Sequence, residues 1–389
     1  MTHSSTALSR INPSQTSAMT DRATELREQG QDIISLSVGE PDFATPAHVV
    51  EAAQQALGNG ETKYTPVGGT ARMKQAAQTH FARDLGIDVP VSQIMASSGG
   101  KQAIFHAIMA TVSEGEEAII PSPWWVSYPE IVRFAGGTVV PLRTLAKDNF
   151  CFTAGALEAQ IGPRTQWLLL NSPGNPTGAV YPADMLLAIG DVLRRHPQIM
   201  VMSDDIYAPL NYTGAQHATL AVLCPDLAER IITISGVSKS HAMTGFRIGV
   251  AAGPEWLIQA MTKLQSHSSG NPCSISQAAA IAAFEGPQDF LADWREKFRS
   301  RRDLVAEAVN GIAGLSTPVP DGAFYCMVDA SALRERFASD SALALHLLEH
   351  GVAIVPASAF GGQDGFRISF AASEDTLREA MRRMAAALA

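Results

Sequence analysis

Residues 235–250 read SGVSKSHAMTGFRIGV, in which Lys239 stands between two serines and Arg247 follows eight residues later. A desolvated amine near a fixed cation resists protonation, which makes it a better nucleophile than a free lysine. Three further polar clusters punctuate apolar stretches. Gly99-Gly100-Lys101 opens a helical pattern. Free N–H groups at a helix start suit a phosphate, and glycine lets the anion approach. NSPGNPTG (171–178) follows the apolar run QWLLL, and SDDIY (203–207) follows IMVM. A carboxylate leaving a buried strand is costly unless a partner takes its charge. Each cluster alone also fits an ordinary turn, loop or helix cap.

The elements able to gather these clusters are short apolar runs of strand length: EEAIIPSP, QWLLLNSP, IMVMSDD, RIITIS and RIGVAAG. Each ends in small, polar or turn residues, as buried parallel strands do, and helix-sized intervals separate most of them. Such alternation predicts an α/β domain with a largely parallel sheet covered on both faces. Ligands then sit at the carboxyl ends of the strands, where the polar clusters lie. Helical spacing marks a segment from about Ser17 to Gly30, PAHVVEAAQQALGNG and GGKQAIFHAIMATV. A long charged helix follows residue 286. A terminal amphipathic helix places Leu377, Met381, Met384 and Leu388 on one face.

Composition narrows the function. The 389 residues are 46% apolar and 17% charged, enough for a sizeable core, and the formal charge is −9 with no basic run. An acidic balance argues against a nucleic-acid surface. Cys151, Cys224, Cys273 and Cys326 form no Cys-x-x-Cys pair, which suits reduced, buried thiols in a cytoplasmic protein. No segment has the length of a signal peptide's apolar region or of a membrane span.

A lysine, a carboxylate, a tyrosine and an anion cradle at one sheet edge match the needs of pyridoxal 5′-phosphate (PLP). That cofactor takes a lysine Schiff base, a carboxylate on its pyridinium nitrogen and donors around its phosphate. The sequence also resembles the fold-type-I PLP aminotransferases, in particular the bacterial aspartate aminotransferase subgroup. The resemblance spans nearly the whole chain, through PSQTSAM, SVGEPDFATP, KYTPVGG, GGKQAIF, WVSYPE, NSPGNPTG, SDDIY, SKSHAMTGFRIG, GAFY and FRISFA.

The resemblance implies a seven-stranded-type, mostly parallel sheet in a large domain spanning 46–286. Residues 1–45 form an N-terminal arm and part of a smaller α/β domain completed by 287–389. It implies that Lys239 bonds the cofactor and shuttles a proton. Asp204 pairs with the ring nitrogen, Tyr207 with the ring hydroxyl, and Trp125 stacks on the ring. Asn175 touches cofactor and substrate. Gly100, Lys101, Ser238 and Arg247 hold the phosphate, joined by Tyr64 from the other subunit of a homodimer. Arg367 and Gly39 receive the substrate α-carboxylate, and Ser14, Thr16 and Lys101 grip a distal one. Aspartate, glutamate and their 2-oxo acids are the leading substrates; aromatic or prephenate transamination and PLP-dependent β-elimination are the alternatives. Trp124, Gly174, Asp205, His241 and Phe246 depart from the subgroup's usual tyrosine, asparagine, glutamate, tyrosine and tryptophan. Of these, Trp124 is expected to reshape the pocket.

Two other readings are weaker. HLLEH (346–350) matches a zinc-binding helix, but only 39 residues follow it to supply a third ligand. A PLP-bound transcription regulator needs an N-terminal DNA-binding domain and a basic face, and the family-like core here begins near residue 10.

Overall fold

The computed structural model describes residues 4–389. Its strands, in chain order, are β1 (Ile34–Ser35), β2 (Ile94–Ser97), β3 (Glu117–Ser122), β4 (Thr138–Arg143), β5 (Thr165–Asn171) and β6 (Met200–Asp204). They continue as β7 (Ile231–Ser235), β8 (Gly249–Ala252), β9 (Tyr325–Asp329), β10 (Val352–Ala353), β11 (Val355–Pro356) and β12 (Gly365–Ser369). A seven-stranded sheet runs β2-β8-β7-β6-β5-β3-β4. Its central members carry the apolar runs because helices cover both faces; β7, for example, is buried at every residue.

Strands β3 to β7 pair in parallel, whereas β8 is antiparallel to both β7 and β2. RIGVAAG, expected among the parallel strands, therefore runs against them. The link from β7 to β8 contains only the short 3-10 turn Thr244–Phe246. A parallel crossover generally needs a helix, so this chain turns back beside its own strand. That reversal places Arg247 at the same sheet edge as the carboxyl ends of β5, β6 and β7.

A second group of elements packs around the three-stranded antiparallel sheet β11-β12-β9 and the parallel pair β1-β10. Leu377, Met381, Met384 and Leu388 enter its core with Phe298, Phe324 and Phe366, as the helical spacing predicts. The segment after β1 is clamped to the long helix Phe290–Asn310. Arg301 donates to both carboxylate oxygens of Asp42, at 2.7 and 3.0 Å, and Phe43 stacks on Trp294. This clamp fixes the neighbouring Gly39.

Among the described residues no helix is long and apolar enough to cross a membrane. All four cysteines are free; three are buried, but Cys273 is exposed, contrary to the expectation of buried thiols. It precedes the helix Ser274–Glu285, whose apolar residues face inward without it. In HLLEH, His346 Nε2 lies 3.0 Å from the Ala387 carbonyl and His350 Nδ1 2.8 Å from the His346 carbonyl. Both rings are thus engaged by backbone.

Gly249 opens β8 directly under the start of the helix Gly100–Thr111, where a Cβ would collide with the Gly100 nitrogen. Gly155, in the helix Ala154–Glu158, has nothing within 4 Å of such an atom. Gly249→Ala is expected to destabilise the protein by about 1–3 kcal/mol, the usual cost of overpacking. Gly155→Ala should be neutral or stabilising by up to about 1 kcal/mol. Urea unfolding midpoints of the two variants check the contrast.

Candidate active site

A cavity of ≈ 450 Å³ opens at the carboxyl edge of the large sheet. It receives Asn171 from the end of β5, Asp204 from the end of β6, and Ser238 and Lys239 from the loop after β7. Gly100 and Lys101 come from a helix start, Gly39 from the clamped segment, and Arg367 from β12.

The Lys239 amine donates to the Gly39 carbonyl at 2.5 Å. Burial pushes its pKa down to about 8; Arg247 and Arg367 reinforce the shift, while Glu40 and Asp204 oppose it. The amine is therefore partly neutral near pH 8, as a nucleophile or general base requires.

Asp204 is buried, and Tyr128 Oη donates to its Oδ2 at 2.5 Å while the Ile206 N–H reaches Oδ1 at 3.3 Å. Burial raises this carboxyl to about 6 despite those bonds. Burial likewise raises Tyr128 far above an ordinary phenol, and the Asp204 charge adds to it, so the hydroxyl remains a donor. The Tyr128 ring also meets Trp125 edge-on, with centroids 5.1 Å apart.

The anion cradle is shaped by missing side chains. Gly99 adopts φ +92°, and a Cβ there would collide with the Arg247 guanidinium. Arg247 itself has φ +53°, a region L-residues seldom occupy, and its Nη1 donates to the Thr244 carbonyl at 2.8 Å. Among the described residues it makes no ion pair. Ser238 is buried on the same wall.

Arg367 is 3% exposed. Its Nη1 donates to Asn175 Oδ1 at 3.1 Å and its Nη2 to the Ser37 carbonyl, while the buried Nε has no partner among the described residues. The guanidinium carbon sits 4.6 Å from the Tyr325 ring centroid and 5.0 Å from that of Phe360. Asn175 is held in turn: its N–H donates to Asn171 Oδ1 at 2.8 Å, and Asn171 donates to the Asp204 carbonyl. A buried donor without an acceptor is costly unless an anion supplies one.

Tyr207 lines the cavity, and its hydroxyl lies 2.9 Å from that of Tyr325. Lys101 Nζ stands 4.9 Å above the Trp125 ring, and Thr16 faces the same space. Ser14 does not line it. Ser14 caps the helix Gln15–Glu28 by accepting from the Ser17 N–H, 2.9 Å from the Thr16 hydroxyl. Tyr64 is 98% exposed and lies outside its own chain's cavity. Trp124, expected to reshape the pocket, does not line this cavity but lines the adjoining groove of ≈ 1090 Å³ that shares Lys101 and Arg247 with it. It packs over Gly361, where a Cβ would collide with the indole. Gly174, Asp205, His241 and Phe246 also lie outside the lining.

Sequence reasoning missed Tyr128, Asn171 and Tyr325. Tyr128 could have been found from its place in WVSYPE, three residues after Trp125 and one helical turn along.

Asp204 sets a pH signature. Its folded pKa, about 6, lies above the unfolded value of 3.8. Its contribution to stability is therefore full below about pH 4 and lost as pH rises through 6. The difference amounts to about 3 kcal/mol at roughly 1.4 kcal/mol per pKa unit. From pH 4 to 7, Asp204→Asn is expected to gain stability relative to the ligand-free parent by up to that amount, as read by chemical denaturation at each pH.

Known proteins share the sequence and the fold of this chain. The family described as aminotransferase class I and II matches residues 31–384. The chain is 46% identical to the aspartate/prephenate aminotransferase of Cereibacter sphaeroides over 98% of each chain. It is 44% identical to the aspartate aminotransferase of Geobacillus stearothermophilus over 96% of each. Among solved structures, the Thermus thermophilus aspartate aminotransferase with maleate superposes with a TM-score of 0.95 at 40% identity, covering all of both chains. A family match over most of the chain, relatives matched end to end and a shared fold leave one assignment: the chain belongs to the aminotransferase class I and II family and is an aminotransferase.

Proposed function

We propose that this aminotransferase uses PLP to exchange an amino group between L-aspartate or L-glutamate and a 2-oxo acid, in two half-reactions. The observation that carries the reading is Arg367: a buried guanidinium with an unpartnered Nε, in the same cavity as the desolvated Lys239 amine. Arginine's planar fork suits a carboxylate in a way lysine cannot copy.

The residues present fit the cofactor. A phosphate would rest on the N–H groups of Gly100 and Lys101, with Ser238 and Arg247 beside it, in a cradle that a Cβ at Gly99 would fill. Asp204, a buried carboxylate without a cation, would meet the pyridine nitrogen. Tyr207 would meet the ring hydroxyl, and Trp125 would stack on the ring. When bound, PLP supplies an electron-accepting ring that stabilises negative charge at the substrate Cα. Lys239 would hold the cofactor, take the Cα proton as general base and return it as general acid. Arg367, Asn175 and the Gly39 backbone would fix the substrate α-carboxylate. Lys101 and Thr16 would face the distal carboxylate of a dicarboxylic substrate, with Ser14 behind them, 2.9 Å from the Thr16 hydroxyl.

We assign the active form as a cytoplasmic homodimer, with residues 1–45 and 287–389 as one unit and 46–286 as the other. An exposed Tyr64 outside its own cavity supports its reaching the phosphate of a second copy. Prephenate is the second substrate reading. Relatives carry it in their names, and Lys101 and Arg247 also line an adjoining groove of ≈ 1090 Å³ with room for a bulkier acid.

Lys239→Ala is expected to abolish turnover and the visible absorbance of bound PLP while leaving circular dichroism unchanged; a fully active variant would refute the assignment. Lys101→Ala should lower kcat/KM for aspartate and glutamate at least tenfold more than for phenylalanine. Equal losses in both classes would remove Lys101 from the distal-carboxylate grip.

A further inference from the structure

Tyr325 is fully buried at the start of β9, and both of its ends are engaged. Its ring centroid lies 4.6 Å from the Arg367 guanidinium carbon, which also lies 5.0 Å from the Phe360 centroid. Its hydroxyl lies 2.9 Å from the Tyr207 hydroxyl. That oxygen would also be 2.8 Å from a Cβ on Gly39, so any larger residue there would displace it. Three groups from separate segments therefore converge on one side chain: Arg367 of β12, Tyr207 after β6, and the Gly39 backbone that accepts from Lys239.

We propose that Tyr325 is a positioning residue that couples the carboxylate-binding arginine to the tyrosine facing the cofactor ring. The inference rests on the PLP reading given above. Two hydroxyls in contact share one hydrogen bond, and Tyr207 has a single proton. If Tyr207 donates that proton to the ring oxygen, Tyr325 must be the donor in the tyrosine pair. Donation into Tyr207 polarises its O–H and strengthens the bond it makes beyond. Burial keeps both phenols protonated, so the arrangement persists across the working pH range. The ring acts separately from the hydroxyl. With Phe360 it packs against the guanidinium and helps hold it in place, with Nε unpartnered among the described residues.

Substitution separates the two roles. Tyr325→Phe keeps the ring and removes the hydroxyl, whereas Tyr325→Leu removes both. In PLP-loaded Tyr325→Phe, the pH midpoint of the visible absorbance is expected to rise by about 0.3 unit or more, because the ring oxygen's negative charge loses support. Succinate binding, measured from its perturbation of the same spectrum, should stay within twofold. Tyr325→Leu should shift the midpoint likewise and weaken succinate at least tenfold. Tyr325→Phe is isosteric, so a parental melting temperature shows that the shift is not misfolding. If both variants keep the parent's midpoint and succinate affinity, Tyr325 only fills space and the proposal fails. If the parent protein takes up no PLP, the underlying cofactor reading fails instead.

Discussion

Burying Lys239 in a cavity that also holds Arg367 and opens beside Arg247 is the constraint on which the rest of the site depends. Among the described residues an ammonium there has no paired carboxylate within hydrogen-bonding reach; it rests on the Gly39 carbonyl. Desolvation and two like charges hold its pKa near 8. The same excess of positive charge prepares the cavity for anions, which would offset it. Asp204 is the counterweight: a buried carboxylate held by a tyrosine and one N–H, its pKa raised by burial and the Asp205 charge against the opposing pull of Lys239. A ligand carrying a phosphate, a carboxylate and a protonated ring nitrogen would relieve all of these charges together.

The fold supplies the convergence. Parallel strands deliver Asn171, Asp204 and the Lys239 loop to one edge, and the reversed β8 returns Arg247 to that edge after a short turn. Gly249 lets β8 pass under the helix whose first residues form the cradle. From the other side, β12 projects Arg367, and the Asp42–Arg301 pair holds the segment bearing Gly39. Asn171 and Asn175 join the two sides, linking the Asp204 backbone to the Arg367 guanidinium.

Much of this was legible in the sequence, for identifiable reasons. The central strands are buried on both faces, so their apolar runs stand out, and the polar residues that end them mark the site. The edge strand β4 buries only Leu142 fully and so carries a weaker apolar signal. The direction of β8 was misread because a strand's composition does not encode the orientation of its partner. Tyr128 and Tyr325 escaped notice because their partners lie 76 and 118 residues away, a proximity only the fold creates. Trp124, next to Trp125, has its backbone N–H paired with the Phe360 carbonyl and its indole over Gly361, which places it on the adjoining groove and not on the cavity around Lys239.

The most direct test of the account is to load the protein with PLP, reduce it with borohydride and map the labelled peptide by mass spectrometry. One pyridoxyl group per chain is expected, on Lys239 alone. Labelling of another lysine in its place, or no stoichiometric labelling at all, would contradict it.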